Sequence, residues 1–323
     1  MGFDGDTTLE EASIAALDGL LDALVLKEIG EDRFAVAVEP DRFGRLFGGQ
    51  LVAQALLAAA ATVEGKPPHS LHAYFVEGGM PGVALELAVE RVRDGRSMAA
   101  RRVSVTQEGR DLLVLLASFH ASPISPQLAD PPPNVPAPDA TPLLQHWVRE
   151  SPPDVRPTAM RGWVKTPPPV QMRLGEPLRF LGGDAASGTR SHWMKLPRGV
   201  GDDPLLHTAL LAYASDYFLL DMAFRAHPLG LPASSFTSTS LDHALWFHRP
   251  VRFDEWVLHT QETVAISGDR GLVRGALHDA QGQLVATAMQ EVLIRVKRDA
   301  GEARPAHGAR PANKARPVSE GPA

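Results

Sequence analysis

The sequence predicts an α+β fold in which one structural unit is used twice, and three observations carry that reading. In each half a single Ala/Leu-rich helical stretch is accompanied by a run of alternating, strand-like segments, the pattern of a helix set against an antiparallel sheet. The last two strands of each half share a layout. The first half has Arg101-Arg102-Val103, a turn at Gln107-Glu108-Gly109 and the strand Leu112 to Phe119; the second has Arg274-Gly275, a turn at Ala280-Gln281-Gly282 and the strand Leu284 to Glu291. An offset of 173 sets Gly109 on Gly282, Arg101 on Arg274 and Ala117 on Gln290. Between the halves, Ala121 to Pro142 holds eight prolines in 22 residues, which favours an extended, poorly hydrogen-bonded connector.

The elements follow in order. Residues 9–26 have helical periodicity, with Leu17, Leu20, Leu21, Leu24 and Val25 on one side. Residues 33–39 alternate as a strand. Phe47-Gly48-Gly49 then opens a helix running to about Val63, and its glycines permit close backbone approach at a helix start, where free N–H groups collect. Strand patterns follow near 71–77, 83–93, 98–107 and 111–120. In the second half, 170–173 and 189–195 read as strands, Pro204 suits the first turn of one long helix to Phe224, and strands return near 236–248, 255–266, 271–279 and 284–296. From Ala300 onward Pro, Ala, Gly and Arg dominate without apolar period, the composition of a disordered tail. The expected organisation is therefore a first unit over 1–120, a linker over 121–165, a second unit over 166–298 and a tail over 299–323.

Composition narrows the function classes. The chain of 323 residues is 44% hydrophobic and 22% charged, as expected of globular units with full cores. A net charge of -6 with no basic stripe argues against a nucleic-acid partner. The longest apolar stretch, Leu51 to Val63, is interrupted by Gln54 and is shorter than the ~18–20 residues that span a bilayer, so no membrane insertion is expected. With an acidic start and no cysteine, the chain is expected in the cytoplasm, without disulfides or a thiol nucleophile.

Three polar residues stand out against apolar surroundings. Asp216 shares its helical face with Ala209, Ala212, Tyr213, Leu219 and Leu220, so its carboxylate needs hydrogen-bond partners, unless the helix turns it to solvent. Asp221 is expected to be the solvated acid. Gln290 is the polar member of a strand row otherwise made of Leu284, Ala286, Ala288, Val292 and Ile294; its plainer reading is a structural amide bonded to backbone. Ser240 opens Ser240-Leu241-Asp242-His243, which matches Ser70-Leu71-His72, and a lone strand serine is ordinarily structural. Other motifs are weaker. Gly95-Arg96-Ser97-Met98-Ala99 lacks the final glycine and the strand-to-helix setting of a nucleophile elbow, and His243 and His248 fall on opposite strand faces, which argues against a metal pair with Asp242. No metal and no cofactor are expected.

Phe47-Gly48-Gly49-Gln50, His69-Ser70-Leu71-His72-Ala73-Tyr74-Phe75, Arg93-Asp94-Gly95-Arg96-Ser97, Tyr213-Ala214-Ser215-Asp216, Leu241-Asp242-His243 through Trp246-Phe247-His248-Arg249-Pro250, and Gln290-Glu291 together resemble the bacterial acyl-CoA thioesterase II family, in that family's order. The resemblance implies a tandem (double) hotdog: two antiparallel sheets, each wrapped around a central helix, with the sheets continuous and whole chains associating as a homo-oligomer. It implies an acyl-CoA substrate, with medium to long chains preferred, hydrolysed by a water that Asp216, Ser240 and Gln290 position. Gly48 and Gly49 are candidate oxyanion donors. Ser240 replaces the threonine expected of the family and Glu77-Gly78 an Arg-Pro, the latter bearing on acyl or CoA recognition. A non-catalytic acyl-CoA or acyl-lipid binding protein and a hotdog enoyl-CoA hydratase are the rival readings. Setting Phe47 on His207 puts Leu56 opposite Asp216, so chemistry is expected only in the second unit.

Overall fold

A computed structural model describes residues 5–41, 44–121, 128–153, 163–164 and 166–297. Its strands are β1 (Lys27–Gly30), β2 (Arg33–Val36), β3 (Pro68–Phe75), β4 (Leu85–Asp94), β5 (Met98–Gln107), β6 (Arg110–His120), β7 (Gln171–Leu174), β8 (Arg190–Lys195), β9 (Phe236–Ser240), β10 (Asp242–Phe247), β11 (Val257–Ser267), β12 (Arg270–His278) and β13 (Leu284–Val296). Among the described residues these form one antiparallel sheet in the order β1-β2-β4-β5-β6-β3-β10-β13-β12-β11-β8-β7, with β9 also paired to β13. The seam between the halves is β3 on β10, where Ala73 faces His243 and Leu71 faces Leu245. The two halves thus form a double hotdog whose sheets run into one another.

Helix α1 (Gly5–Ala23) buries Leu17 and Leu20. It ends before Val25, which is 65% exposed instead of joining the apolar side. Helix α2 (Gly48–Ala60) is buried almost all round, from Leu51 to Ala59, because it lies between β3–β6 and a helix of the other half. Gln54 Nε2 donates to the carbonyls of Ala23 and Ala37 at 2.8 Å each, tying the end of α1 and the chain after β2 to it.

The described part of the proline-rich stretch, 128–142, is held against the second half. Its continuation forms α3 (Leu144–Glu150), which buries Leu144 and Val148, while Trp147 Nε1 donates to the Leu174 carbonyl. Trp193 Nε1 and His278 Nε2 also bond the carbonyls of Pro136 and Asp130, so 128–150 runs along the second half. The expected tail lies outside the described residues.

Three register details depart from the sequence reading. The long helix is two: α4 (Pro204–Ser215) and α5 (Leu219–Arg225), separated by Phe218 at φ 67°. α2 has 13 residues and α4 has 12, so aligning their C-caps sets Asp216 opposite Ala61, and not Leu56. Lastly, the offset of 173 holds for β13 but slips on β12. Arg101 pairs with Ala117, whereas Gln290 pairs with Val273, so Val273 occupies the buried place of Arg101 and Arg274 points outward. Both hairpins carry a bulge near the turn, and the second has the longer turn, which shifts its register.

Asp221 is not solvated. It is fully buried, its Oδ2 accepting from Arg190 Nη1 at 2.6 Å and from the Arg179 N–H at 3.0 Å, its Oδ1 from the Phe180 N–H at 2.7 Å. The expected single helix is broken after Ser215, so Asp221 belongs to the separate α5 and its carboxylate is buried. Removing one partner leaves an uncompensated buried charge. Asp221→Asn is expected to lower the unfolding free energy by about 3–5 kcal/mol, read by chemical denaturation.

The second-half interior also holds His192 and His259, paired across β8 and β11 with ring centroids 5.1 Å apart. Burial holds both below the ordinary imidazole range, His259 at about 3. Between that value and the ~6.5 of the unfolded chain, the unfolded state binds more protons, so stability falls as the pH drops. For His259 alone the loss by pH 5 is about 2 kcal/mol. Denaturant titrations at pH 7.5 and 5 should show it, with a shallower pH slope in a His259→Asn variant.

Candidate active site

The break after α4 positions the first functional side chain. α4 begins with Pro204 in its first turn and the Asp203 side chain accepting from the Leu205 N–H at 2.9 Å. It stops at Ser215, which makes Asp216 its C-cap. The Tyr217 carbonyl that the break releases accepts from Gln261 Nε2 at 2.7 Å, and Phe218 takes the left-handed conformation, costing about 1–3 kcal/mol in a non-glycine residue. The consequence is that the Asp216 carboxylate leaves the helix face and meets the start of α2. Its Oδ2 accepts from the Gly49 N–H at 2.9 Å, capping a helix whose own N-cap residue, Phe47, offers no side-chain acceptor.

Backbone packing requires glycine at position 49, and side chains crowd position 48. A Cβ on Gly49 would lie 2.1 Å from the Tyr213 carbonyl oxygen, and one on Gly48 would lie 2.8 Å from Asp216 Oδ2 and 2.9 Å from the Phe75 ring. Both glycines therefore face this site. Gly49 spends its N–H on Asp216, where it holds the carboxylate and is not a standing oxyanion donor; Gly48 lies on the cavity wall.

The predicted strand over 236–248 is also divided, and the division brings the next residues together. β9 pairs Ser240 with Val292, but β10 pairs Ala244 with Met289, a shift of one residue across Leu241. The Leu241 N–H donates to the Glu291 carbonyl, and the Glu291 N–H donates to Asp242 Oδ1 at 2.6 Å, so a side chain replaces the missing ladder bond. Burial raises the Asp242 carboxyl above its usual range, and that N–H partly offsets the rise. In an unbroken strand Ser240 and His243 would face opposite sides. The bulge changes the parity, so both reach Gln290.

Gln290, 1% exposed, places its amide between Ser240 Oγ at 2.6 Å and His243 Nδ1 at 3.0 Å. His243, fully buried, continues through Nε2 to Ser215 Oγ at 2.8 Å, and Ser215 Oγ donates to the Ala212 carbonyl at 2.8 Å. The set runs back to α4, one residue before Asp216.

Asp216, Ser240 and Gly48 share the wall of one cavity of about 400 Å³, with Phe47, Phe75, Trp163, Phe180, Phe218 and Leu220 supplying apolar surface. Arg45, Glu77 and Gly78 also line it, and Arg110 lies 3.5 Å from Glu77. Phe180 is held there by the N–H that Asp221 accepts. Among the described residues no group of three or more His, Asp or Glu side chains is disposed to hold a metal ion.

The structure thus brings Asp216, Ser240, Gly48 and Gly49 to one place, with Gln290 directly behind Ser240. The sequence reading missed His243 and Ser215 as partners. Their signal, a histidine beside a buried strand row and a serine before Asp216, becomes legible only once the bulge and the break are known. Gly49→Ala should cost more than about 1–3 kcal/mol of stability, because the clash is with backbone and the two helices must part; thermal and chemical unfolding would measure it.

Comparison with known proteins agrees with this architecture. A family model described as acyl-CoA thioesterase matches residues 165–293, and one described as acyl-CoA thioesterase N-terminal domain matches 38–120. The chain is 32% identical to acyl-CoA thioesterase 2 of Haemophilus influenzae over 285 residues, covering 86% of this chain and 98% of that protein. It is 35% identical to acyl-coenzyme A thioesterase 8 of Homo sapiens over 268 residues, covering 80% and 83%. Among solved structures, an acyl-CoA thioesterase II from Mycobacterium marinum superposes with a TM-score of 0.69 at 30% identity, covering 86% of this chain and 98% of that one.

Proposed function

Because this chain belongs to the acyl-CoA thioesterase II family, and so is an enzyme of acyl-CoA hydrolysis, we propose that it cleaves medium- to long-chain acyl-CoA with a water held by Asp216, Ser240 and Gln290. One observation carries the assignment of residues. A carboxylate from the end of α4 and a hydroxyl from β9 line the same cavity, each held from behind, Asp216 by a helix N-terminus and Ser240 by Gln290.

A thioester carbonyl is electrophilic enough for a partly deprotonated water to attack it directly, without a covalent enzyme intermediate. Asp216 takes the water's proton. Its Oδ2 is held by Gly49, which leaves Oδ1 to act as base, and the positive end of α2 holds the carboxylate in place. The tetrahedral intermediate then expels CoA thiolate, which recovers the proton. Gly48, at the same helix start, is the candidate N–H donor to the oxyanion. The aromatic lining of the cavity suits an acyl chain of medium or greater length, and Glu77 with Arg110 near its rim bears on the CoA side.

The first half supplies no counterpart chemistry. Ala61 stands at the helix end where the second half has Asp216, and Ala117 stands in the strand place of Gln290, so one site per chain is the reading. Release of free CoA from a panel of acyl-CoAs tests it. Asp216→Asn should lower kcat roughly 10²-fold or more with the fold retained. Ser240→Ala and Gln290→Ala should each cost less and combine non-additively, since all act on one water. Ser240→Thr should remain active, and EDTA should have no effect. Near-normal turnover of the Asp216→Asn enzyme would remove the assignment.

A further inference from the structure

His243 completes a hydrogen-bonded chain to Gln290 that the reaction as described does not use. The direction of each bond in that chain can be worked out from Ser215. Its hydroxyl has one hydrogen and gives it to the Ala212 carbonyl, so toward His243 Nε2 it can only accept. The ring therefore carries a hydrogen on Nε2. In neutral imidazole Nδ1 is then an acceptor, and the Gln290 group facing it must be the NH2. The amide oxygen faces Ser240 instead, an orientation reached by a half-turn of the amide that leaves the heavy-atom contacts in place. The opposite polarity would need a buried imidazolium whose two hydrogen-bond partners, Ser215 and Gln290, are both uncharged.

The polarity matters at the cavity. With the amide oxygen toward it, the Ser240 hydroxyl donates inward and presents its lone pairs to the cavity. A water there gives one hydrogen to Ser240 Oγ and the other to Asp216, and keeps a lone pair for the carbonyl carbon. With the amide reversed, the Ser240 hydrogen would point outward and occupy the water's attacking lone pair or the base itself.

We propose that His243, backed by Ser215, is a positioning residue that fixes the orientation of the Gln290 amide and through it the direction in which Ser240 holds the water. The inference rests on the roles given above to Asp216, Ser240 and Gln290. His243 touches no substrate, since it is fully buried and off the cavity wall.

The test combines kinetics of the full chain with the ring's protonation pattern. His243→Phe should lower kcat roughly tenfold or more while KM stays within about twofold, and in a Gln290→Ala background it should cause no further loss. ¹⁵N NMR of histidine-labelled wild-type enzyme, with the His243 signal identified by its disappearance in the variant, should show a neutral ring protonated on Nε2. An unchanged kcat, a loss that adds fully to that of Gln290→Ala, or a proton on Nδ1 would overturn the proposal. If His243→Phe fails to fold, Ser215→Ala serves for signal shift and kinetics: it should lower kcat with KM retained, and an unaltered kcat counts against the proposal. Asp216→Asn run alongside separates the failures. Activity in that variant sinks the assignment of the site itself, whereas an inactive Asp216→Asn with normal His243→Phe sinks only the role of His243.

Discussion

A carboxylate from one half of the chain caps a helix of the other, and most of the structure is arranged so that this contact can exist. The first turn of any helix leaves N–H groups without partners and carries the positive end of the backbone dipole. α2 begins Phe47-Gly48-Gly49 with no side-chain cap of its own, and Asp216 supplies the acceptor. For the carboxylate to arrive, the end of α4 must approach until Gly49 nearly touches the Tyr213 carbonyl, a distance no side chain allows. The same contact joins the halves and holds the carboxylate proposed as the base.

That contact requires α4 to stop at Ser215, and stopping is unfavourable for a stretch as apolar as Leu210 to Phe224. Phe218 sits in a left-handed conformation that the local sequence does not favour. Tertiary groups hold it there. Gln261 takes the released Tyr217 carbonyl, and Asp221 bonds Arg190 and the backbone of 179–180, which fixes both the start of α5 and the Phe180 wall of the cavity. A buried ion pair of this kind is weak evidence of net stability but strong evidence of a required geometry, since either charge alone would be costly.

The β9–β10 bulge does for the sheet what the break does for the helix. Both interrupt a regular element by one or a few residues, and both turn a polar side chain toward the cavity side while a neighbouring polar group covers the freed backbone. Asp242 is that group on the strand, as Gln261 is for the helix. The first half keeps the same elements without this set of polar residues: an exposed Ala61 and a buried Ala117 stand at the places of Asp216 and Gln290.

The sequence by itself determined the double α+β architecture, the strand runs of both halves, and the oddity of Asp216 and Gln290, because periodicity and burial of apolar rows are local properties of the chain. The buried row Ala286, Ala288, Gln290, Val292 and Ile294 is found as the alternation predicts. Tertiary structure decided the rest: that Asp221 is buried and Asp216 half-buried, that Arg274 does not take the place of Arg101, and that Ser240 and His243 share a face. Each turns on a shift of one residue or one helix break, which changes which side a residue faces without changing the composition or period that a sequence displays. Such shifts are set by partners far away in the chain, Gly49 for Asp216 and Glu291 for Asp242, and only folding brings those partners into contact.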